Sequence, residues 1–392
     1  MGERPIPNPA GSPPRGFHEP EGFPGLYIHI PFCIRKCDYC GFYSVTDLTR
    51  IPAFRSALRR EMALRRDWTA SFDTLYWGGG TPSVLSPDDL EGFAADIRTA
   101  FTIADDAEVT CETNPGDMTA EFLTAIRRAG VNRLNIGFQS LDDATLALLG
   151  RRHDRARALA AFAAAREAGV ANIGVDLIYG IPGQRLEPWL ATLREAVALN
   201  PEHLSCYQLT LDEGTPLAER SKRGEAALPG DALQAEFFWR TAEFLEESGY
   251  IHYEVSNFAR PGRESRHNRK YWDHTPYLGL GPAAHTFSGR ERRWNRRSLD
   301  AYIRDLESGH DPVESREILD EEQLRLEALF LGFRTARGIC LERFQAWYGR
   351  DLIVEKGDWI ERLSKEGLLE IRDGFLRPTR AGMAVADSLA LI

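Results

Sequence analysis

Short apolar runs alternate with longer segments of helical periodicity between residues 26 and 210. Six of the runs have the composition of strands: LYIHI (26–30), TLYW (74–77), EVTCE (108–112), RLNIGF (133–138), NIGVDLIYG (172–180) and HLSCYQLT (203–210). Strands that alternate with helices indicate repeated β/α units around a parallel sheet. Six units in succession predict an α/β fold with a partial (β/α)6 TIM-like barrel, and a doubly wound open sheet is the alternative.

Residues suited to chemistry follow the predicted strands. They are 31–40 after the first strand, 78–81 after the second, 112–114 after the third, Gln139 after the fourth, and Asp176 and Thr210 within or at the ends of the fifth and sixth. In a β/α barrel the strand C-termini meet at one end, where the functional site is built. The pattern therefore predicts a site at that end.

The alternation of strand-like and helical segments ends at about residue 225. Together with the composition, this change predicts four regions. They are a disordered Pro-rich lead-in (1–23), the barrel core (24–225), an extension (226–315) and a C-terminal helical, winged-helix-like domain (316–392). The extension is predicted as a helix (231–248), the run YEVSNF (253–258) and a Gly-, Pro-, Arg- and His-rich loop to about residue 297. The last domain is predicted to contain a hairpin turning at 372–374. Because it lacks a basic recognition helix, a packing or lid role is favoured over DNA binding.

Composition narrows the class of protein. The 392 residues carry 48 Lys and Arg against 58 Asp and Glu, and the resulting charge of −10 disfavours nucleic acid as a partner. The sequence has no apolar run of membrane-spanning length, and its Pro-rich start does not resemble a signal peptide. Only three of the six cysteines cluster, which argues against a disulfide framework and predicts a cytoplasmic protein with reduced thiols.

The clustered cysteines are Cys33, Cys37 and Cys40, with C-x3-C-x2-C spacing. An iron–sulfur cluster that only carries electrons usually has four protein ligands. Three thiolates would leave one iron open for a substrate or cofactor, as in a catalytic metal site. The alternatives are three free thiols in a turn, or a zinc site that borrows a distant histidine.

Several motifs together resemble one family. YIHIPFCIRKCDYC (27–40) is similar to the cluster loop of radical S-adenosylmethionine (SAM) enzymes of the oxygen-independent coproporphyrinogen-III-oxidase type. WGGGTPS (77–83), IGFQSLDD (136–143), DLIYGIPGQ (176–184), EGTPL (213–217) and YEVSNFARPG (253–262) follow in that family's order. The resemblance spans residues 24 to 390 and implies a [4Fe-4S] cluster and SAM. In that family the cofactor chelates the open iron, and its reductive cleavage yields a 5′-deoxyadenosyl radical.

The resemblance also implies which residues hold SAM. Glycines 78–80 would let the backbone approach the methionyl amine, and Thr81 would cap it. Glu112 suits a ribose diol or the amine, while Gln139 and Arg151 suit ribose and carboxylate. Taken singly, the glycines would also suit a tight turn, and Arg151 a solvated helix end. The full predicted set is Tyr27, Tyr39, Gly79, Gly80, Thr81, Glu112, Gln139, Arg151, Asp176 and Thr210.

Two features bear on the branch of the family. Phe42 occupies the position where the authentic oxidases carry a further cysteine, and HNRKYW (267–272) resembles the H-N-x-x-Y-W signature of the heme-chaperone branch, the HemW-like proteins. The resemblance implies heme contacts at His267, Tyr271 and Trp272, since imidazole ligates heme iron and aromatic rings offer flat apolar surface. The alternative for His267 is a structural hydrogen-bonding role. Arginines 290–297 could pair with propionates, but a solvated face is favoured for them.

The predicted function is a heme chaperone that binds heme, a [4Fe-4S] cluster and SAM, and passes heme to acceptor proteins. The first alternative is a radical SAM enzyme acting on a tetrapyrrole or another small molecule, by coproporphyrinogen III oxidation or methyl transfer. A cluster-bearing binding or electron-relay protein is the third. Whether catalysis occurs stays open, and the partners considered are heme acceptors, peripheral contact with membrane-bound acceptors, and a second copy in a homodimer.

Overall fold

Six parallel strands form the centre of the computed structural model, which describes residues 23–68 and 71–391. The predicted lead-in lies outside the described residues except for Phe23. The strands are β1 (Gly25–Ile30), β2 (Phe72–Gly79), β3 (Ile103–Thr113), β4 (Arg133–Gln139), β5 (Ile173–Tyr179) and β6 (His203–Gln208). They pair in sequence order, β1-β2-β3-β4-β5-β6. A doubly wound sheet would reverse its strand order at a switch point. The sequential order confirms the predicted partial barrel.

Helices connect these strands and bury their apolar faces in the main core. They are α1 (Ile51–Leu64), α2 (Pro87–Ala100), α3 (Ala120–Arg128), α4 (Asp143–Leu148), α5 (Arg155–Glu167) and α6 (Leu186–Ala198). Side-chain oxygens accept hydrogen bonds at the first turns of α2, α3, α4 and α5, as Ser86 does from the Asp89 N–H. In α3, Phe122, Leu123 and Ile126 lie on one buried face, as the helical period of an amphipathic segment requires.

The barrel core does not close on itself, because other strands occupy both of its edges. After α7 (Pro216–Lys222) and α8 (Asp231–Glu247), strands β7 (Ile251–Glu254) and β8 (Asn257–Ala259) add to β6. Then α9 (Arg266–Trp272) leads to β9 (Tyr277–Leu280), which pairs with β1 in parallel. Strands β10 (His285–Phe287), β11 (Glu291–Asn295) and β12 (Val313–Ile318) continue that edge, and α10 (Leu299–Glu307) precedes β12.

The predicted long loop before residue 297 is therefore wrong, because this segment contains a helix and three strands. HNRKYW lies in α9, where the Ser265 hydroxyl caps the first turn by accepting from the Asn268 N–H. The strands are short and rich in glycine, arginine and histidine, so their apolar pattern is weak. Pairing with β1 and with one another stabilises them, and local sequence does not report that pairing. The predicted boundary between the extension (226–315) and the C-terminal domain (316–392) stays a prediction. Strand β12 spans this boundary.

The C-terminal region has its own small core and a three-stranded sheet. Its elements are α11 (Glu321–Gly332), β13 (Ile339–Cys340), α12 (Leu341–Tyr348), α13 (Leu352–Lys365), β14 (Leu369–Arg372), β15 (Phe375–Pro378), α14 (Arg380–Ala384) and α15 (Ala386–Leu389). The predicted hairpin is confirmed, with Asp373 and Gly374 both at positive φ in its turn. The Ala336 N–H donates to the Tyr253 carbonyl at 3.0 Å, which joins this region to the β7–β8 hairpin.

None of the helices in residues 23–68 and 71–391 has the length and apolar character needed to cross a membrane.

Candidate functional site

A cavity of about 560 Å³ opens at the C-terminal ends of β1–β6. It gathers the three clustered cysteines and all ten residues predicted to contact SAM. Those ten are Tyr27, Tyr39, Gly79, Gly80, Thr81, Glu112, Gln139, Arg151, Asp176 and Thr210. The volume lies within the roughly 300–1,000 Å³ typical of small-molecule sites. The predicted location of the site agrees with this cavity.

The cysteine loop is held against the core by hydrogen bonds from several directions. The Cys33 N–H donates to the Val45 carbonyl at 3.0 Å, and the Asp38 N–H donates to the Leu149 carbonyl at 3.2 Å. Arg297 Nη2 donates to the Gly41 carbonyl at 2.9 Å. The loop is therefore packed against the core, and all three cysteines line the same cavity.

Cys33, Cys37 and Cys40 line the same cavity. Across residues 23–68 and 71–391, no group of three or more His, Cys, Asp or Glu side chains converges so as to hold one metal ion. All three thiols are free. Three thiols that share one cavity without meeting at one point suit a larger inorganic group.

The glycine turn after β2 brings the backbone to the cavity wall. Its amides are bonded to the end of β1, from Gly80 N–H to the Ile30 carbonyl and from Thr81 N–H to the Phe32 carbonyl, each at 2.8 Å. Gly79 has φ +104°, and a Cβ there would lie 2.6 Å from the His29 ring. At Gly80 a Cβ would lie 2.7 Å from the Phe32 carbonyl oxygen. A Cβ at either position would therefore clash with the chain itself, and the two glycines line the cavity without side chains.

The His29 ring packs against the glycine turn at Gly79. Its Nε2 bonds the Tyr43 carbonyl at 3.0 Å, and its Nδ1 lies 3.2 Å from the Tyr27 hydroxyl. Burial lowers the pKa of His29 to about 4, so the ring is neutral near pH 7. These contacts make His29 a supporting residue of the turn.

Two half-buried carboxyl groups, Glu112 and Asp176, line the cavity floor. The Tyr76 hydroxyl donates to Glu112 Oε1 at 2.8 Å, and the Gly79 N–H also donates to this carboxylate. Burial, reinforced by the negative charge of Asp176, raises the pKa of Glu112 to about 7. Burial likewise raises the pKa of Asp176 to about 6. Within the described part of the chain, Asp176 Oδ1 has no hydrogen-bond partner, and such an acceptor in a cavity is suited to a ligand donor.

Gln139 and Arg151 form the side of the cavity next to the cysteine loop. Gln139 has φ +66° at the irregularity between β4 and β5, a backbone conformation that is uncommon outside glycine. Arg151 Nη2 donates to the Gly137 carbonyl at 2.7 Å, and its Nη1 donates to the Cys37 sulfur at 3.4 Å. Its buried Nε has no partner among the residues that the structure describes.

Sequence reasoning missed several residues of the cavity. Tyr76, Asn135 and Tyr207 line it from within β2, β4 and β6, and Asn135 Nδ2 lies 3.3 Å from the Tyr76 hydroxyl. A signal was present, since side chains two apart on a strand face the same side. Tyr76 is two residues before Gly78, and Tyr207 is two after the buried Ser205. The prediction considered strand ends and overlooked this alternation.

The structure favours the structural alternative for His267. The residue is 1% exposed, its Nδ1 lies 2.8 Å from the Thr74 hydroxyl, and its Nε2 lies 2.9 Å from the Tyr271 hydroxyl. Burial lowers its pKa to about 3. Both ring nitrogens are thus engaged inside the fold, where they hold α9 against β2.

None of the three predicted heme contacts lines the 560 Å³ cavity. Trp272 instead borders a separate cavity of about 260 Å³ beside the C-terminal region, together with Arg269 and Arg337. The heme contacts at His267, Tyr271 and Trp272 therefore stay a prediction.

The arginines of 290–297 are mostly engaged within the fold. Arg292 forms two bonds of 2.7 Å to Glu327, and Arg296 pairs with Asp305 at 3.0 Å. Arg297 supports the cysteine loop, as described above. Arg290, Arg296 and Arg297 are also exposed, so the solvated face favoured by the sequence stays a prediction.

Comparison with known proteins places the chain in a family. A model of the Radical SAM superfamily matches residues 27–196, and one of the HemN C-terminal domain matches residues 319–385. The heme chaperone HemW of Mycobacterium tuberculosis is 36% identical over 374 residues, covering 93% of each chain. HemW of Bacillus subtilis is 34% identical, covering 93% of this chain and 97% of the relative.

Two further relatives extend the comparison. The mitochondrial radical S-adenosyl methionine domain-containing protein 1 of Bos taurus is 36% identical, covering 93% of this chain and 86% of the relative. The solved coproporphyrinogen III oxidase (HemN) of Escherichia coli superposes with a TM-score of 0.82 at 24% identity, covering 94% of this chain and 89% of that one. This last likeness establishes the fold.

The cavity fits the [4Fe-4S] cluster and SAM that this superfamily implies. It supplies three thiols, a glycine turn from which Cβ atoms are sterically excluded, and the unpaired Asp176 Oδ1 and Arg151 Nε. The chain belongs to the radical SAM superfamily, in the family that includes the HemW heme chaperones.

Proposed function

We propose that this protein is a heme chaperone that carries a [4Fe-4S] cluster and SAM, binds heme, and passes it to acceptor proteins. The observation that carries the proposal is the 34–36% identity to HemW heme chaperones over 93% of the chain. Phe42, at the position of a cysteine in the authentic oxidases, supports it. This side chain is 69% exposed at the cavity.

The proposal assigns the cluster to Cys33, Cys37 and Cys40. When bound, the cluster and SAM supply one-electron chemistry and a route to a carbon radical. The protein's own part is to bind and orient. Gly79 and Gly80 add no side chains to the cavity wall, and Asp176 Oδ1 is an acceptor without a partner in the described part of the chain.

The remaining predicted contacts complete the proposed SAM site. Glu112 faces the glycine turn as an acceptor, and Arg151 faces the cysteine loop with a free Nε. The other side chains are proposed to enclose the cofactor, and they are Tyr27, Tyr39, Thr81, Gln139 and Thr210. The enclosing walls would exclude water from it.

Heme binding tests the proposal most directly. The full chain, reconstituted anaerobically, is titrated with heme while the Soret band is followed by absorbance, and loaded protein is then mixed with an apo acceptor of higher affinity. We expect saturable binding and transfer of the band to the acceptor. The absence of a heme band at saturating heme would overturn the chaperone function.

A radical SAM enzyme is the second candidate, because the cavity keeps the complete set of predicted SAM residues. Dithionite and SAM are added to the reconstituted protein, with and without coproporphyrinogen III, and products are separated by chromatography. Formation of protoporphyrinogen would replace the chaperone proposal by an oxidase function. If 5′-deoxyadenosine does not form, the binding or electron-relay alternative gains support.

Acceptor proteins, contact with membrane-bound acceptors, a homodimer and a cytoplasmic location are parts of the same proposal. The free thiols are typical of a reducing compartment. Light scattering of purified protein, with and without heme, measures the oligomeric state. A mass of one chain under both conditions would exclude the dimer.

A further inference from the structure

We propose that Arg151 and Thr81 raise the reduction potential of the cluster by donating hydrogen bonds to the sulfurs of its ligands. The inference rests on the proposed assignment of Cys33, Cys37 and Cys40 as those ligands. It does not depend on heme transfer. It also extends the roles of Arg151 and Thr81, which the sequence assigned only to SAM.

Each of the three cysteine sulfurs has one donor of a different kind. The Thr81 hydroxyl lies 3.3 Å from the Cys33 sulfur, and it must be the donor once that sulfur is a thiolate. Arg151 Nη1 donates to the Cys37 sulfur at 3.4 Å. The backbone N–H of Phe42 bonds the Cys40 sulfur. A hydroxyl, a guanidinium and an amide thus converge on the three ligands.

Arg151 is the strongest of these donors. Its Nη2 is anchored to the Gly137 carbonyl at the end of β4, which fixes the direction of Nη1. A guanidinium stays charged at all physiological pH values. Arg151 therefore adds a positive charge as well as a hydrogen bond beside Cys37, within a partly buried site where charges interact more strongly than in water.

Reduction adds one negative charge to a cluster that thiolates already make electron-rich. Hydrogen bonds to the sulfurs and a nearby cation stabilise the reduced state more than the oxidised one, and such contacts set the potentials of iron–sulfur proteins. Removing a donor should therefore lower the potential. The loss of Arg151, which carries a full charge, should have a larger effect than the loss of the Thr81 hydroxyl.

Arg152 provides a matched control. It is the next residue along the chain and another arginine at the same cavity, but its Nη2 bonds both oxygens of Asp117 at 2.8 and 3.0 Å. Its charge is thus neutralised locally, and no bond joins it to a cysteine sulfur in the described part of the chain. Arg152→Met removes an arginine from this wall without removing a sulfur contact.

The experiment is an anaerobic redox titration of the reconstituted full chain, without SAM or heme, with the reduced cluster followed by electron paramagnetic resonance. For Arg151→Met we expect at least a tenfold lower ratio of reduced to oxidised cluster at a fixed potential, which is about 59 mV for one electron. Thr81→Val should lower the midpoint potential of the cluster by a smaller amount. Thr81→Ser keeps the hydroxyl and should therefore have the wild-type midpoint potential. Arg152→Met leaves the Asp117 carboxylate without its partner but removes no sulfur contact, so it should shift the midpoint by less than Arg151→Met does.

Iron and sulfide content is measured for each variant, so that loss of the cluster is distinguished from a change in its potential. Wild-type midpoints in both Arg151→Met and Thr81→Val would overturn the inference alone. An equal shift in Arg152→Met and Arg151→Met would also overturn the inference. The loss of positive charge from the cavity wall would then explain the shift without a hydrogen bond to sulfur. A wild-type protein that binds no cluster would overturn the ligand assignment together with the inference.

Discussion

Glu112→Gln should remove a pH-dependent component of SAM binding. The Glu112 carboxylate accepts from the Tyr76 hydroxyl and from the Gly79 amide, and its pKa is raised to about 7 by burial and by Asp176. If the ionised carboxylate receives a donor from SAM, binding requires the group to be deprotonated. SAM affinity should therefore fall as the pH drops below 7.

The magnitude follows from the shifted pKa of Glu112. A carboxyl group with a pKa of about 7 is about 90% ionised at pH 8 and about 10% ionised at pH 6, which corresponds to a tenfold loss of affinity or about 1.4 kcal/mol. Glu112→Gln should abolish this step. At pH 8 it should also weaken binding by about 1.5–3 kcal/mol, the usual value of a hydrogen bond to a charged group.

Isothermal titration calorimetry of the reconstituted protein with SAM, at pH 6 to 8.5 under anaerobic conditions, measures both effects. Glu254→Gln is the matched control, because burial also raises the pKa of Glu254 to about 7, yet this residue lies in the β7–β8 hairpin away from the cavity. Its pH profile should equal that of wild type. An unchanged step near pH 7 in Glu112→Gln would refute the reasoning.

Three further predictions follow from close packing and burial. Gly80→Ala should abolish detectable SAM binding in the same calorimetric assay, because the added Cβ would clash with the Ile30 and Phe32 carbonyl oxygens. Gly230→Ala is the control and should bind SAM normally, since the added Cβ would meet no neighbouring atom within 4 Å. Glu61→Ala should lower the free energy of unfolding by about 3–5 kcal/mol in urea titrations, because this buried carboxylate accepts hydrogen bonds from Gly281, Asn295 and Tyr302. Glu91 is half-exposed and forms a surface ion pair with Arg128 at 3.3 Å, so Glu91→Ala should change the free energy of unfolding by less than about 1 kcal/mol. His267→Phe should lower the melting temperature, because it leaves the Thr74 and Tyr271 hydroxyls unpaired. Heme titrations of this variant that match wild type would support the structural role, and loss of its Soret band would support the predicted heme contact.

Much of the barrel could be predicted because its pattern is local. Each β/α unit carries its own apolar strand and its own helix, and parallel strands place their C-termini at one end whatever the rest of the chain does. Residues after successive strands, such as Gly80, Glu112 and Gln139, were thereby expected at one cavity. The structure brings them there.

The extension could not be predicted in the same way. Strand β9 is four residues long, and its place beside β1 depends on an edge that the barrel leaves unpaired. The motif around His267 was chemically suited to heme, but its surroundings are set by Thr74, which lies 193 positions earlier in the chain. Long-range pairing of this kind leaves no periodic signal in the local sequence.

The sequence by itself determined the order of the β/α units, the cysteine loop and the family, because each depends on residues close together along the chain. Only the tertiary structure decided how those residues are used. It buried His267 between α9 and β2, and it directed Arg151 toward both the Gly137 carbonyl and the Cys37 sulfur. The physical reason is that burial and hydrogen-bond partners are properties of the packed chain, since they depend on which distant segments meet.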